Sequence, residues 1–182
     1  SCLEAPMFNP CAVIPVYNHE SAVGDVVAGV LRHKLPCMVV DDGSSPPCAA
    51  ALAELAAADP DRVTLLRHSV NRGKGAAVLT AIRYAARSGY SHALQIDADG
   101  QHRIDDIPRF LERAEAHPHP LIIGCPEYDS SVPWMRLWAR RLTHAWVSIN
   151  TLSRQIKDSM CGFRVYPLAP LVALDRRYRL GE

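Results

Sequence analysis

At 182 residues, 48% hydrophobic and 21% charged, the chain has the composition of an ordinary soluble globular domain with enough apolar side chains for one core. A formal net charge of +1, with lysines and arginines scattered along the chain, excludes the basic field of a nucleic-acid binder. The six cysteines lie far apart without a C-x-x-C pair, and no apolar run approaches the roughly 18 residues of a membrane span. The expectation is a cytoplasmic chain with reduced thiols, at most peripheral to the inner face of a membrane.

Short apolar runs alternate with helix-length amphipathic segments, the pattern of a parallel sheet covered by helices. Strands are expected at 11–16 (CAVIPV), 37–41 (CMVVD), 63–67 (VTLLR), 93–97 (ALQID) and 120–124 (PLIIG), each nearly all apolar, as strands buried on both faces should be. Helices are expected over 21–33, 48–58, 75–87 and 105–117, with Pro46, Pro47, Pro60, Gly89 and Pro118 marking their ends. The Ala-rich stretch 49–58 carries Leu52 and Leu55 and reads as a helix lying close on the sheet.

Ligands of open parallel sheets bind outside the carboxyl ends of the strands. The first strand runs into Tyr17-Asn18-His19-Glu20, the second into Asp41-Asp42-Gly43-Ser44-Ser45, the third into Asn71-Arg72-Gly73-Lys74-Gly75, and the fourth into Asp97-Ala98-Asp99-Gly100-Gln101-His102. Any one of these alone reads equally as a helix cap or a tight turn. Four at successive strand ends point to a site. Asp97 and Asp99, one residue apart, can approach one hard cation, and ordinary folding gives no reason to crowd like charges there. Mg²⁺ or Mn²⁺ held so would bridge the phosphates of a nucleotide, with Gln101 adding a neutral oxygen. His102 is a secondary candidate, and no His/Cys cluster suggests zinc. The stretch from Asn71 to Gly75 matches neither G-x-G-x-x-G nor G-x-x-x-x-G-K-[ST], so Asn71 and Lys74 are expected to shape a nucleotide pocket rather than to form either phosphate loop.

With I-P-V-Y-N-x-E (Ile14 to Glu20), V-V-D-D-G-S-S (Val39 to Ser45), N-R-G-K-G (Asn71 to Gly75), D-A-D-G-Q-H (Asp97 to His102) and D-S-M-C-G-F-R (Asp158 to Arg164) in order, the chain resembles family 2 inverting glycosyltransferases of the GT-A fold. It is most similar to the branch of dolichyl-phosphate mannose synthases and bacterial polyprenyl-phosphate sugar transferases. The resemblance covers most of the chain. It implies an α/β fold with a mostly parallel sheet flanked by helices, and one catalytic domain over 1–182 that stops somewhat short at its C-terminal end. It implies inverting, metal-assisted transfer of a sugar from a UDP- or GDP-sugar in lipid or cell-envelope glycan biosynthesis. Pro15, Tyr17, Glu20 and Asp42 would line the nucleoside pocket with Asp41 beside it; Asp97, Ala98, Asp99 and Gln101 would serve the diphosphate and the metal. Asp158 and Arg164 would face the reacting centre.

Where the polyprenyl-phosphate branch commonly carries G-S-R after the fifth strand, this chain has Gly124-Cys125-Pro126. That departure tilts the expected acceptor from a polyprenyl phosphate toward a lipid-linked or other hydroxyl, for which Asp158 would be the general base. Between Pro133 and Ser153, Trp134, Trp138, Leu142, Ala145, Ile149 and Leu152 fall on one helical stripe with Arg141 inside it. The stripe either packs on the sheet with Arg141 reaching outward, or meets an acceptor or a membrane surface with Arg141 on an anion. Two rivals remain: a nucleotidyltransferase, which would carry an early glycine-rich loop absent from 13–20, and a catalytically silent sugar-nucleotide or lipid-binding module, against which Asp97, Asp99 and Asp158 speak.

Overall fold

The structure, a computed structural model, describes residues 7–101, 103–123 and 163–178. The chain divides into two compact units, one of Ser1–Ile122 with Phe163–Glu182 and a second of Ile123–Gly162. Apart from Ile123 the second unit lies outside the described residues, and with it Asp158, Arg141 and the stripe from Pro133 to Ser153.

In chain order the elements are β1 (Pro10–Val16), α1 (Glu20–Arg32), β2 (Cys37–Asp42), α2 (Pro46–Ala58), β3 (Val63–His68), α3 (Lys74–Arg87) and β4 (His92–Gln95). A 3₁₀ turn (Ile104–Asp106), α4 (Ile107–Ala116), β5 (Ile122–Ile123), β6 (Arg164–Pro167) and α5 (Leu168–Tyr178) follow. The sheet order is β3-β2-β1-β4-β6-β5. β1 pairs parallel with β2 and β4, β2 pairs parallel with β3, and β6 runs antiparallel to β4. The expected α/β fold with a mostly parallel sheet is therefore present.

Right-handed crossovers explain the layering. The chain steps outward from β1 to β2 to β3, then returns across β1 to β4, so the helix before β4 falls on the opposite face. Alternate residues of the strands reflect this: Cys11, Val13, Met38 and Val40 join Ala77, Val78, Ala81, Ile82 and Ala85 of α3 in one buried cluster. The alanines at 77, 81 and 85 recur every fourth residue and bring the helix close to the sheet. On α1, Val23, Val26, Val27 and Val30 are buried, and α1 packs on α2 and β2. Cys11, Cys37 and Cys48 are buried free thiols. Burial pushes Cys11 and Cys37 up to about 12, so neither is a nucleophile near neutrality.

Several boundaries differ from the sequence expectation for physical reasons. Pro46 and Pro47 lie inside the first turn of α2, where a missing N–H costs nothing. The fourth strand ends at Gln95, two residues before Asp97, which frees Asp97 and Asp99 to turn. The fifth strand is only two residues long and half-buried, at an edge of the sheet rather than covered on both faces. The place beside β4 is taken by β6, which was not anticipated as a strand.

Candidate active site

The strand order reverses between β1 and β4, which makes the crevice at their carboxyl ends the topological switch point of the sheet. A cleft of about 340 Å³ lies there, lined by residues of four strand ends: Pro15, Val16, Tyr17, His19, Asp42, Asn71, Lys74, Ala77, Asp97, Ala98 and Asp99. Of the residues singled out from the sequence, Pro15, Tyr17, Asp42, Asn71, Lys74, Asp97, Ala98 and Asp99 meet in this one cleft. Glu20, Asp41 and Gln101 do not line it. Arg164 opens β6, where it pairs with Gln95 of β4. Asp158, Arg141 and His102 lie outside the described residues.

The loops are tied to one another before any ligand is considered. Asn18, at φ 55, donates its N–H to Ser44 Oγ at 3.1 Å and accepts the Ser45 N–H on Oδ1 at 2.8 Å, which joins the ends of β1 and β2. Asp41 turns inward: its Oδ1 accepts the Ser44 N–H at 2.8 Å and its Oδ2 accepts from Arg67 Nε at 3.0 Å. That carboxylate holds the turn rather than facing the cleft. Gly43 stands at φ +73, and a Cβ there would meet Asn71 N at 2.5 Å, so the D-D-G turn tolerates only glycine beside the third loop.

Asp42 is also nearly buried, yet one edge reaches the cleft. Its Oδ1 accepts from His68 Nδ1 at 2.6 Å and from the Arg72 N–H at 2.9 Å, and its Oδ2 accepts the Gly73 N–H at 2.8 Å. Burial by itself would raise its pKa, but the Arg72 N–H, His68 and the Gly73 N–H together outweigh it and hold the carboxyl below its ordinary value. At the opposite wall, Lys74 Nζ lies 2.5 Å from Asp97 Oδ2. Asp97 Oδ1 faces Gln95 Nε2 at 3.4 Å, and Gln95 Oε1 accepts from the Tyr166 hydroxyl at 2.8 Å. Asp99 Oδ1 accepts the Gln101 N–H at 3.0 Å, so Gln101 contributes its backbone to the shape of the turn.

His19, read only as part of the polar run after the first strand, lines the cleft, whereas His68, Gln95 and Tyr166 escaped the sequence reading. Gln95 had a usable signal, a polar residue inside an apolar strand, and it is 1% exposed in the structure. Tyr166 had none, because its bond to Gln95 depends on a strand that was not foreseen.

The family model described as "Glycosyl transferase family 2" matches residues 11–170. The polyprenol monophosphomannose synthase of Mycolicibacterium smegmatis is 32% identical over 177 residues, covering 93% of this chain and 66% of that protein. The undecaprenyl-phosphate mannosyltransferase of Micrococcus luteus is 30% identical over 173 residues, covering 90% of this chain and 68% of its own. The chain thus spans about two thirds of the length of these relatives. Among solved structures, the mannosyltransferase PcManGT of Pyrobaculum calidifontis, in complex with GDP-Man and Mn²⁺, superposes with a TM-score of 0.55 at 22% identity, covering 67% of this chain and 37% of its own. S. aureus TarS 1-349 in complex with UDP gives 0.59 at 16% identity over 92% of this chain and 49% of its own. These last two share the fold. With the switch-point cleft on a GT-A sheet and a family match across most of its length, the chain belongs to glycosyl transferase family 2.

Proposed function

We propose that the protein transfers a sugar from a nucleoside diphosphate sugar to a polyprenyl phosphate, with inversion at the anomeric carbon and a divalent cation held by Asp97 and Asp99. The observation that carries this reading is the composition of the cleft. Tyr17, 48% exposed, and Pro15 give it an apolar wall fit for a nucleoside; Lys74, Asp97 and Asp99 give it a charged wall fit for a cation and phosphates. Two carboxylates supply hard oxygens, the donor type that Mg²⁺ and Mn²⁺ prefer. Lys74, whose ammonium pairs with Asp97 in the cleft, is placed to turn to the phosphates once a cation takes that carboxylate. When bound, the cation would supply positive charge for the departing nucleoside diphosphate. PcManGT, solved with GDP-Man and Mn²⁺, supports the donor class and a divalent cation.

The M. smegmatis and M. luteus relatives, named for polyprenol and undecaprenyl phosphate chemistry, favour a phosphate acceptor over the hydroxyl that Gly124-Cys125-Pro126 suggested. An ionised phosphate oxygen attacks without a general base, so Asp158 and Arg164 become positioning groups and Arg141 the candidate partner of the acceptor's anion. On this reading residues 1–182 form one catalytic domain working at a membrane surface, where a polyprenyl phosphate resides. Among the described residues no helix is long and apolar enough to cross a membrane.

The test is transfer. The protein is incubated with radiolabelled GDP- and UDP-sugars, Mn²⁺ or Mg²⁺, and a polyprenyl phosphate. The expected result is metal-dependent label in an organic-extractable product of inverted anomeric configuration. Label that appears only on a hydroxyl lipid would overturn the acceptor assignment, and no transfer from any nucleotide sugar would overturn the function.

A further inference from the structure

We propose that His68, which belongs to none of the cleft motifs, is a positioning residue of the donor site: it fixes the Asp42 carboxylate, and that carboxylate holds the turn from which Lys74 reaches the cleft. The role rests on the donor-cleft reading above. His68 is the last residue of β3, and the parallel register sets it directly beside Asp42, the last residue of β2. Its side chain is 7% exposed and both ring nitrogens are engaged, Nδ1 with Asp42 Oδ1 at 2.6 Å and Nε2 with Thr80 Oγ1 at 2.9 Å. An ionised carboxylate has no proton to give, so the hydrogen in the first contact belongs to Nδ1. The Thr80 hydroxyl can donate or accept, and it anchors the far side of the ring to α3.

Three donors therefore converge on one carboxylate: His68 Nδ1 and the backbone N–H groups of Arg72 and Gly73. The imidazole restricts the rotation of Asp42. With that rotation restricted, the carboxylate pins two successive amides of the 71–73 turn, and Gly73 adopts φ +90 immediately before Lys74 opens α3. Lys74 then meets Asp97 in the lining of the cleft. Without the imidazole, Asp42 can rotate, the two amides lose a fixed acceptor, and the ammonium of Lys74 is no longer delivered to one place. A phosphate-binding lysine depends on that placement more than the stability of the sheet does.

Two substitutions separate the two halves of the ring. Asparagine sets an amide nitrogen near the position of Nδ1, whereas glutamine sets one near Nε2. Calorimetry with GDP and UDP in the presence of Mn²⁺, alongside thermal melting, is carried out on wild type, His68→Asn, His68→Gln and Thr80→Val. We expect His68→Asn and Thr80→Val to bind nucleotide within about threefold of wild type, and His68→Gln to bind about tenfold or more weakly. A His68→Gln variant that binds like wild type, or a His68→Asn variant as weak as it, would overturn the proposal. Amide hydrogen exchange on the wild-type protein tests the clamp without any substitution: the Arg72 and Gly73 amides should exchange slowly, and rapid exchange at both overturns it. If wild type binds neither nucleotide, the donor reading fails by itself, and the exchange rates still decide the clamp.

Discussion

Lys74 Nζ and Asp97 Oδ2 lie 2.5 Å apart in the lining of the cleft, so the carboxylate that a divalent cation would use is already neutralised by a resident ammonium. Lys74 is 52% exposed on its side chain, which leaves the pair open to water and exchangeable. Three cleft carboxylates, Asp42, Asp97 and Asp99, against one lysine make the lining net negative, so a bare diphosphate is repelled and a bare cation must displace Lys74. Lys74→Met should therefore raise the Mn²⁺ affinity of the nucleotide-free protein by about fivefold while weakening Mn²⁺-dependent GDP or UDP binding. Titration followed by electron paramagnetic resonance reads the first effect and calorimetry the second. EDTA should abolish nucleotide binding by wild type. A mutant with lower Mn²⁺ affinity than wild type would show that Lys74 does not compete for Asp97.

Asp42 gives a pH prediction with a definite sign. Its folded-state pKa lies below the ordinary 3.8, so its contribution to stability is fully present above that value and is lost as pH falls through the folded value. Asp42→Asn keeps one acceptor oxygen but sets an NH₂ group against one of the converging donors, which should cost roughly 1–3 kcal/mol near neutrality. Urea midpoints measured from pH 7 downward should converge for wild type and mutant in acid. A gap that stays constant to pH 2 would exclude the charged form of Asp42 as its source. The same substitution should weaken nucleoside binding; unchanged affinity would confine Asp42 to the loop.

The legible part of the fold is the part whose burial writes itself into the sequence. β1 and β2 are buried nearly throughout and read as apolar runs, β3 at the sheet edge keeps only Val63 and His68 buried, and α1 and α3 carry a clear helical period. β6 was missed because Arg164-Val165-Tyr166-Pro167 is short and half-polar, with only Val165 and Pro167 buried. α5 was missed because Pro170 reads as a breaker, although in the first turn of a helix it displaces no hydrogen bond. The carboxylates of the cleft were visible as polar clusters at strand ends. The partners that orient them were not, since His68 meets Asp42 through strand register and Tyr166 meets Gln95 across an antiparallel pair, and neither adjacency is local in sequence.

That C-terminal segment has its own fastening. Arg83 of α3 grips Asp175 of α5 with two bonds of 2.6 Å, from Nε and Nη2. Arg83 is 37% exposed on its side chain, so screening limits the coupling to about 1 kcal/mol. A double-mutant cycle with Arg83→Ala and Asp175→Ala should return that value at low salt and a smaller one in about 1 M salt. Coupling that is zero at low salt would remove the pair from the forces holding α5 on the core.

Asp158 separates the two acceptor classes, and the expected result follows from the chemistry of the attacking oxygen. It lies outside the described residues, at the head of D-S-M-C-G-F-R, the motif that ends at Arg164 of β6. A hydroxyl must lose a proton as it attacks, and a positioned carboxylate base contributes roughly 10² to 10⁴ in rate. A polyprenyl phosphate is already ionised and needs no such help. Asp158→Asn should therefore leave GDP or UDP affinity intact, retain turnover within about tenfold of wild type, and raise the acceptor KM. The pH profile of wild-type turnover should likewise lack an acid limb assignable to a carboxylate base. Steady-state kinetics on a polyprenyl phosphate check both points. A collapse of turnover by 10² or more with unchanged acceptor KM would return Asp158 to the role of general base and the acceptor to a hydroxyl.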